Sequence, residues 1–230
     1  GQENEQTLLF TEQCDKAFNL GVVWVEAKVN QEKGKGVRHR IVDFNSASRN
    51  GRPFEDMIRK FGIPNQAAPF CTRDLKLGPI ESYAKEYFKG DKYATAIGIR
   101  IDEIDRISPS MKQRSLIYPL ITDVVMSKQK INFWWSQQTF RLELKGYQGN
   151  CKTCWKKSEL KLYQLAKEDV SQFEFMDRME KTYGKVGPAF ERNKVSESRV
   201  FFRGNRSAQD IIRESKDWNG FVRDDSIDVN

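Results

Sequence analysis

A chain of 230 residues and 26.8 kDa is long enough for one large domain or two small ones, and it can bury a core without disulfide or metal staples. Its 39 Lys and Arg against 32 Asp and Glu leave a net charge of +7 and a pI near 9.2, which favours a polyanionic partner, nucleotide or nucleic acid. Four Cys are too few for a disulfide framework, the apolar run around Val22–Val25 is far short of a membrane span, and no basic-then-apolar signal region opens the chain. These features lead to the expectation of a soluble protein of a reducing cytoplasm, with no membrane partner.

In chain order, residues Gln2 to Leu20 carry Leu8, Leu9, Ala17 and Phe18 among polar residues and predict an amphipathic helix ended by Gly21. The β-rich run Val22 to Val29 predicts a strand. Residues Lys33 to Arg52 are basic and Gly-rich and are expected to form a long surface loop, with Ile41 to Phe44 as a short strand within it. A helix is predicted from about Asp74 to Phe88, and after the Lys89-Gly90-Asp91 turn the apolar stretch Tyr93 to Ile101 predicts a second strand. This alternation of helix and strand is that of an α/β sheet. Beyond Tyr118-Pro119-Leu120 the patterns are helical, at about Ser127–Gln137, Thr153–Lys167, Val170–Tyr183 and Ser207–Ser215, and the polar residues from Asp224 are expected to fray. The expected division is an α/β domain over residues 1–122 and a helical region over 123–230.

Cysteine carries the sharpest chemical signal. Cys151-Lys152-Thr153-Cys154 is a Cys-x-x-Cys after the Gly149-Asn150 turn and at an expected helix start, where thiol pKa values fall and two sulfurs can meet one partner. The pair fits a redox dithiol, half of a zinc site or two ligands of an iron–sulfur cluster. Cys71, at the entry to the helix that begins near Asp74, is the candidate third ligand, whereas Cys14 lies within the first helix and is expected to pack. His39 is the only histidine, which removes the material for a Ser-His-Asp triad or a multi-histidine centre and leaves His39 as a fourth-ligand candidate or an anion contact among Lys33, Lys35, Arg38 and Arg40.

A second constellation runs from Gly98 to Arg106, at the carboxyl end of the second expected strand, the edge where open α/β sheets bind ligands. Arg100 and Arg106 are candidates to clamp phosphate, Gly98 to admit a ligand close to the backbone, and Asp102 or Glu103 to hold an arginine or a ribose hydroxyl. The alternative for this segment is a solvated strand exit. Trp134, Trp135 and Trp155 are compatible with a nucleic-acid substrate, although aromatics at helical spacing more often belong to a core.

The order of Gly1-Gln2-Glu3-Asn4-Glu5, Pro69-Phe70-Cys71-Thr72-Arg73-Asp74-Leu75-Lys76, Gly98 to Glu103, Tyr118-Pro119-Leu120, Gly149 to Cys154 and Phe201 to Ser207 resembles the phosphoadenosine-phosphosulfate reductase-like family, in its phage and bacterial branch. The resemblance spans nearly the whole chain. It implies a Rossmann-like parallel sheet flanked by helices, an adenine nucleotide (ATP or phosphoadenosine phosphosulfate) near Gly98, Arg100 and Arg106, and a [4Fe-4S] cluster on Cys71, Cys151 and Cys154, with zinc as the alternative metal. The family's first strand and Ser-Gly-Gly phosphate loop have no counterpart here, so the chain is expected either to start after them or to have lost them. No cysteine follows Cys154, so the C-terminal nucleophile of the assimilatory reductases has no counterpart either. Related members activate a substrate with ATP and move sulfur into nucleic acid. The expected function is nucleotide-dependent sulfur chemistry, in the host cytoplasm if the protein is phage-encoded, with Lys35, Arg38, Arg40 and the Arg100 segment on phosphates. A homodimer and a nucleic-acid substrate are open partner arrangements, and the rival is a catalytically inactive, zinc-stabilised nucleic-acid-binding module.

Overall fold

A computed structural model describes residues 1–187, 190 and 197–226. The described elements are α1 (Glu5–Phe18), β1 (Trp24–Val29), β2 (Val37–Val42), α2 (Arg52–Phe61), a π-helical turn (Arg73–Leu77) running into α3 (Gly78–Tyr87), β3 (Thr95–Ala96), a 3₁₀ segment (Ile101–Arg106), β4 (Leu116–Ile117), α4 (Pro119–Thr122), α5 (Lys128–Ser136), α6 (Glu159–Glu168), a 3₁₀ turn (Val170–Phe173), α7 (Glu174–Tyr183) and α8 (Ala208–Asp217). The fold is mixed α/β, and each described sheet has two strands, β1 with β2 antiparallel and β3 with β4 parallel. No helix among the described residues is long and apolar enough to cross a membrane.

The chain forms two compact units that are discontinuous in sequence. One joins Gly1–Ala84 to Leu144–Arg223, and the other is Lys85–Glu143 with the chain after Arg223, so residues on both sides of position 122 belong to each.

In the first unit, α1 starts where the Asn4 side chain accepts the Gln6 amide at 3.1 Å, and it ends at Asn19, which takes the left-handed conformation (φ 50°) two residues before the expected Gly21 stop. The segment expected to be loop contains β2, paired from Trp24↔Val42 to Val29↔Val37. Arg38 and Arg40 occupy alternate positions along it, so the basic composition hid a period of two. Helix α2 was not anticipated. Gly51 and Pro53 open it, and Pro53, Phe54, Met57 and Ile58 are buried on one face. Phe54, Met57 and Ile58 meet Leu162, Leu165 and Ala166 of α6, Phe173 of the 3₁₀ turn, Phe175, Met176 and Met179 of α7, Ile211 of α8, and Phe201 and Phe202 in one apolar core. The Phe54 ring lies 5.5 Å from Phe175 and 6.2 Å from Phe201.

The Phe201–Ser207 segment is an anchor for that core. Phe202 and Arg206 exchange backbone hydrogen bonds around Gly204 and Asn205, both at positive φ. The Glu180 carboxylate accepts the amides of Phe201 and Ala208 at 3.0 and 2.9 Å, and Arg206 bonds Glu159 and Glu214 at 2.7 and 2.8 Å. Ser207 and Asp210 form a capping box that starts α8.

In the second unit, the apolar stretch Tyr93 to Ile101 pairs as a strand only at Thr95 and Ala96, so the expected wide parallel sheet is not among the described residues. The Ile97 amide still reaches the Ile117 carbonyl at 2.9 Å before the chain turns into the 3₁₀ segment, for which Arg100 is the extended cap. Ile99, Leu116 and Tyr118 form a small core, and the Tyr118 hydroxyl accepts the Ser108 amide at 3.0 Å.

Candidate functional site

The residues with the most chemistry gather at the cysteine turn of the first unit. The chain enters through Asn150, at φ 63°, and Cys151 then forms an antiparallel bridge with Glu3. The Lys152 amide donates to the Gln2 carbonyl at 2.9 Å, and the Cys151 Sγ lies 3.8 Å from Glu3 Oε1. Two turns follow, with the Cys154 amide on the Cys151 carbonyl (3.3 Å) and the Lys157 amide on the Cys154 carbonyl (2.9 Å). The Lys157 ammonium reaches back to the carbonyls of Tyr147 and Gly149 at 2.6 and 2.5 Å and closes the loop from inside.

The turn is not a helix start. Helix α6 begins only at Glu159, so the cysteines receive no helix-terminal field and the expected lowering of thiol pKa does not occur at Cys151. Burial, reinforced by the Glu3 carboxylate and by Cys154, instead pushes the Cys151 thiol up to about 12. Burial also pulls the Lys157 ammonium below its usual range, against the opposing pull of the two cysteines. Thr153 is fully buried, and Trp155, 6% exposed, belongs to the core rather than to a base-stacking surface. Its indole N–H is a buried donor with no hydrogen-bond partner among the described residues.

Cys71 is half-buried against the same core, and its neighbour Thr72 accepts the Lys156 ammonium at 3.3 Å, which ties the Cys71 segment to the cysteine turn. All four cysteines are free thiols. Among the described residues, no group of three or more His, Cys, Asp or Glu side chains converges to hold a metal ion. Cys151 and Cys154 supply two neighbouring donors, and Cys71 does not complete a ligand set with them in this arrangement. His39 is engaged elsewhere, with Nδ1 2.9 Å from the Ser82 hydroxyl and its ring edge-on to Tyr83 at 5.5 Å. Cys14 lies in α1, half-buried, and is not among the residues of either apolar core. A pocket of about 180 Å³ adjoins the turn and is lined by Glu3, Trp24, Glu26, Phe54, Leu75 and Cys151, among others.

Arg40 does not stand free for phosphate. It pairs with Glu26, which also accepts the Ser48 amide and hydroxyl, and together these contacts outweigh burial and hold the Glu26 carboxyl below its usual range. Lys35 and Arg38 are exposed on the hairpin that β1 and β2 form.

The Gly98–Arg106 segment belongs to the second unit. Arg100 bonds Asp102 at 3.1 Å and Glu103 at 3.3 Å, Arg106 pairs with Glu103, and Asp102 also accepts the Lys128 amide at 3.0 Å. The expected phosphate clamp is therefore closed on its own carboxylates here. Gly98 is exposed, and a Cβ there would meet nothing nearer than Leu120 at 3.9 Å, so packing alone does not require glycine. Trp134 is 42% exposed and lies edge-on to Trp135 at 4.7 Å.

Glu3 lies within a motif of the sequence that assigns it no role, and no sequence pattern singles out Lys157 beyond its position three residues after Cys154, within reach of the preceding loop.

This geometry defines a mixed α/β protein with a half-buried cysteine pair, of which Cys151 is bridged to Glu3 near the start of the chain. The chain is 32% identical over 172 residues to the uncharacterized nin region protein ORF290 of Escherichia phage lambda, a stretch that is 74% of this chain and 58% of that protein. No family model matches the chain, and no solved structure matches it.

Proposed function

We propose that the protein performs adenine-nucleotide-dependent sulfur chemistry of the kind its sequence resembles, with Cys151 and Cys154 as the sulfur-handling pair. The observation that carries this reading is the bridge between Glu3 and Cys151, because it joins two motifs of the resemblance that lie 148 residues apart in the chain. The Thr72–Lys156 bond brings a third motif to the same turn. Free cysteines suit a reducing cytoplasm, the compartment this reading assigns. The nucleotide belongs to the Gly98 segment, where glycine serves no packing need and Arg100 and Arg106 would exchange their carboxylate partners for phosphate. A parallel sheet wider than the β3–β4 pair is part of the same proposal. An iron–sulfur cluster on Cys151, Cys154 and Cys71 requires Cys71 to turn towards the pair.

The test is iron, acid-labile sulfide and zinc content, with an absorption spectrum, on anaerobically purified protein beside Cys151→Ala. Iron and sulfide that vanish in the variant support cluster-based sulfur chemistry. Stoichiometric zinc without colour supports the inactive binding module instead. Protein without either metal but with full nucleotide-dependent activity removes the cluster from the reading and leaves the thiol pair.

A further inference from the structure

The β1–β2 hairpin is a two-stranded ribbon whose two faces have different surroundings. Residues opposite each other in an antiparallel pair share a face. One face carries Ala27 opposite His39 and Val29 opposite Val37, and it is packed: Ala27 is buried, His39 lies against Ser82 and Tyr83, and Val29 touches the main core. The other face carries Lys28 opposite Arg38 and Glu26 opposite Arg40.

Lys28 and Arg38 are both exposed, and neither side chain has an ion pair or hydrogen bond among the described residues. Like charges directly opposite in a ladder destabilise it, so this pair works against the hairpin that bears it. The charge continues along the ribbon. Lys33 and Lys35 lie in the connecting turn, and Arg40 follows Arg38 on the same face, its charge matched by Glu26. The turn itself is held firm, because the Lys60 ammonium donates to the carbonyls of Asn30, Glu32 and Lys35. Neither Lys28 nor Arg38 lines the 180 Å³ pocket, so these charges lie outside the enclosure a small ligand would use.

We propose that this open face, Lys28 and Arg38 flanked by Lys33 and Lys35, is a docking surface for a polynucleotide gripped through its phosphodiester backbone. Charge complementarity argues for the occupant. Phosphates would neutralise the Lys28–Arg38 repulsion that nothing among the described residues relieves, and a linear row of cations matches a linear row of anions. The shape agrees, since a two-stranded ribbon is of a size that a duplex groove admits. The proposal does not depend on the sulfur reading, and its test needs neither nucleotide nor metal.

The experiment is fluorescence anisotropy of the full chain with labelled duplex DNA, single-stranded DNA and duplex RNA across a salt series, for wild type and for Lys28→Gln/Arg38→Gln. Wild type is expected to bind at low salt, and the double variant to bind about tenfold more weakly, with a slope of log affinity against log salt smaller by about two. The variant should unfold at the same denaturant concentration as wild type or a higher one, because it removes a repulsion. The charge-preserving Lys28→Arg/Arg38→Lys should retain binding. Equal affinity and slope in wild type and the glutamine variant would overturn the proposal, as would no binding by wild type at low salt. Displacement of the duplex by polyglutamate at equal charge concentration would overturn the commitment to a polynucleotide, and the three probes show which form of phosphodiester is preferred.

Discussion

Glu3 and Cys151 face each other across a single antiparallel bridge, with the thiol 3.8 Å from the carboxylate. The contact places a negative charge beside a sulfur that burial already keeps protonated, and the thiol lies at about 12 as a result. In chelator-treated protein, Cys151 is therefore expected to resist alkylation at pH 8. Glu3→Gln removes the charge and should raise the alkylation rate about tenfold, the equivalent of about one pKa unit. Peptide mapping of the labelled site against pH checks this, and an unchanged rate would mean that burial alone controls the thiol.

Gly51 is fixed twice over. Its φ is +78°, and an added Cβ would lie 2.4 Å from the Phe175 ring. Gly51→Ala should cost about 2 to 4 kcal/mol, the sum of a left-handed backbone and an overpacked core. Gly34 has a similar φ of +81° with open space around it, so Gly34→Ala should cost only about 1 kcal/mol. Urea unfolding of the two variants separates the packing contribution from the backbone one.

The helices of the C-terminal half were legible because local signals set them. The spacing of Ile211 and its neighbours and the Ser207-x-x-Asp210 cap are written within one turn or two. Strand β2 and helix α2 were hidden, the first by arginines at alternate positions and the second by a Gly51-Arg52-Pro53 opening that reads as loop. Apolar character alone overstated the strand at Tyr93 to Ile101, where the strand itself covers only Thr95 and Ala96. At the candidate site the cysteine spacing was visible, but the Glu3–Cys151 bridge was not, because no local pattern encodes contact between segments 148 residues apart. The same holds for Arg100, whose pairing with Asp102 and Glu103 is a matter of side-chain geometry.

Glu180 makes stability depend on pH near neutrality. Burial raises its carboxyl from the usual 4.5 to about 7, although it accepts two backbone amides that pull the other way. Between those values the folded chain holds a proton that the unfolded chain releases, so stability is greatest below about 4.5, declines as pH rises and levels off above about 7. The decline from this group is at most about 3 kcal/mol. Glu180→Gln should flatten that interval in denaturant midpoints measured from pH 5 to pH 8, and a wild-type profile equal to the variant's would show that the group does not carry the dependence.

Arg206 ties side chains of two helices, α6 and α8, to the Phe201–Ser207 anchor. Its guanidinium bonds Glu159 at 2.7 Å and Glu214 at 2.8 Å, and the Tyr163 hydroxyl, 3.1 Å away, donates to the same Glu214 oxygen at 2.7 Å. The side chain is 21% exposed, so solvent screens part of the interaction and the loss on Arg206→Ala should be about 2 kcal/mol rather than that of a fully buried pair. Most of that loss reflects the two carboxylates left side by side. Glu214→Gln in the Arg206→Ala background should therefore recover part of it, whereas Glu214→Gln alone should destabilise. Lysine cannot bridge both carboxylates with a planar fork, so Arg206→Lys should restore less than half of the difference. A double-mutant cycle by urea unfolding reads the coupling directly, and additive effects would reduce the arginine to a packing role.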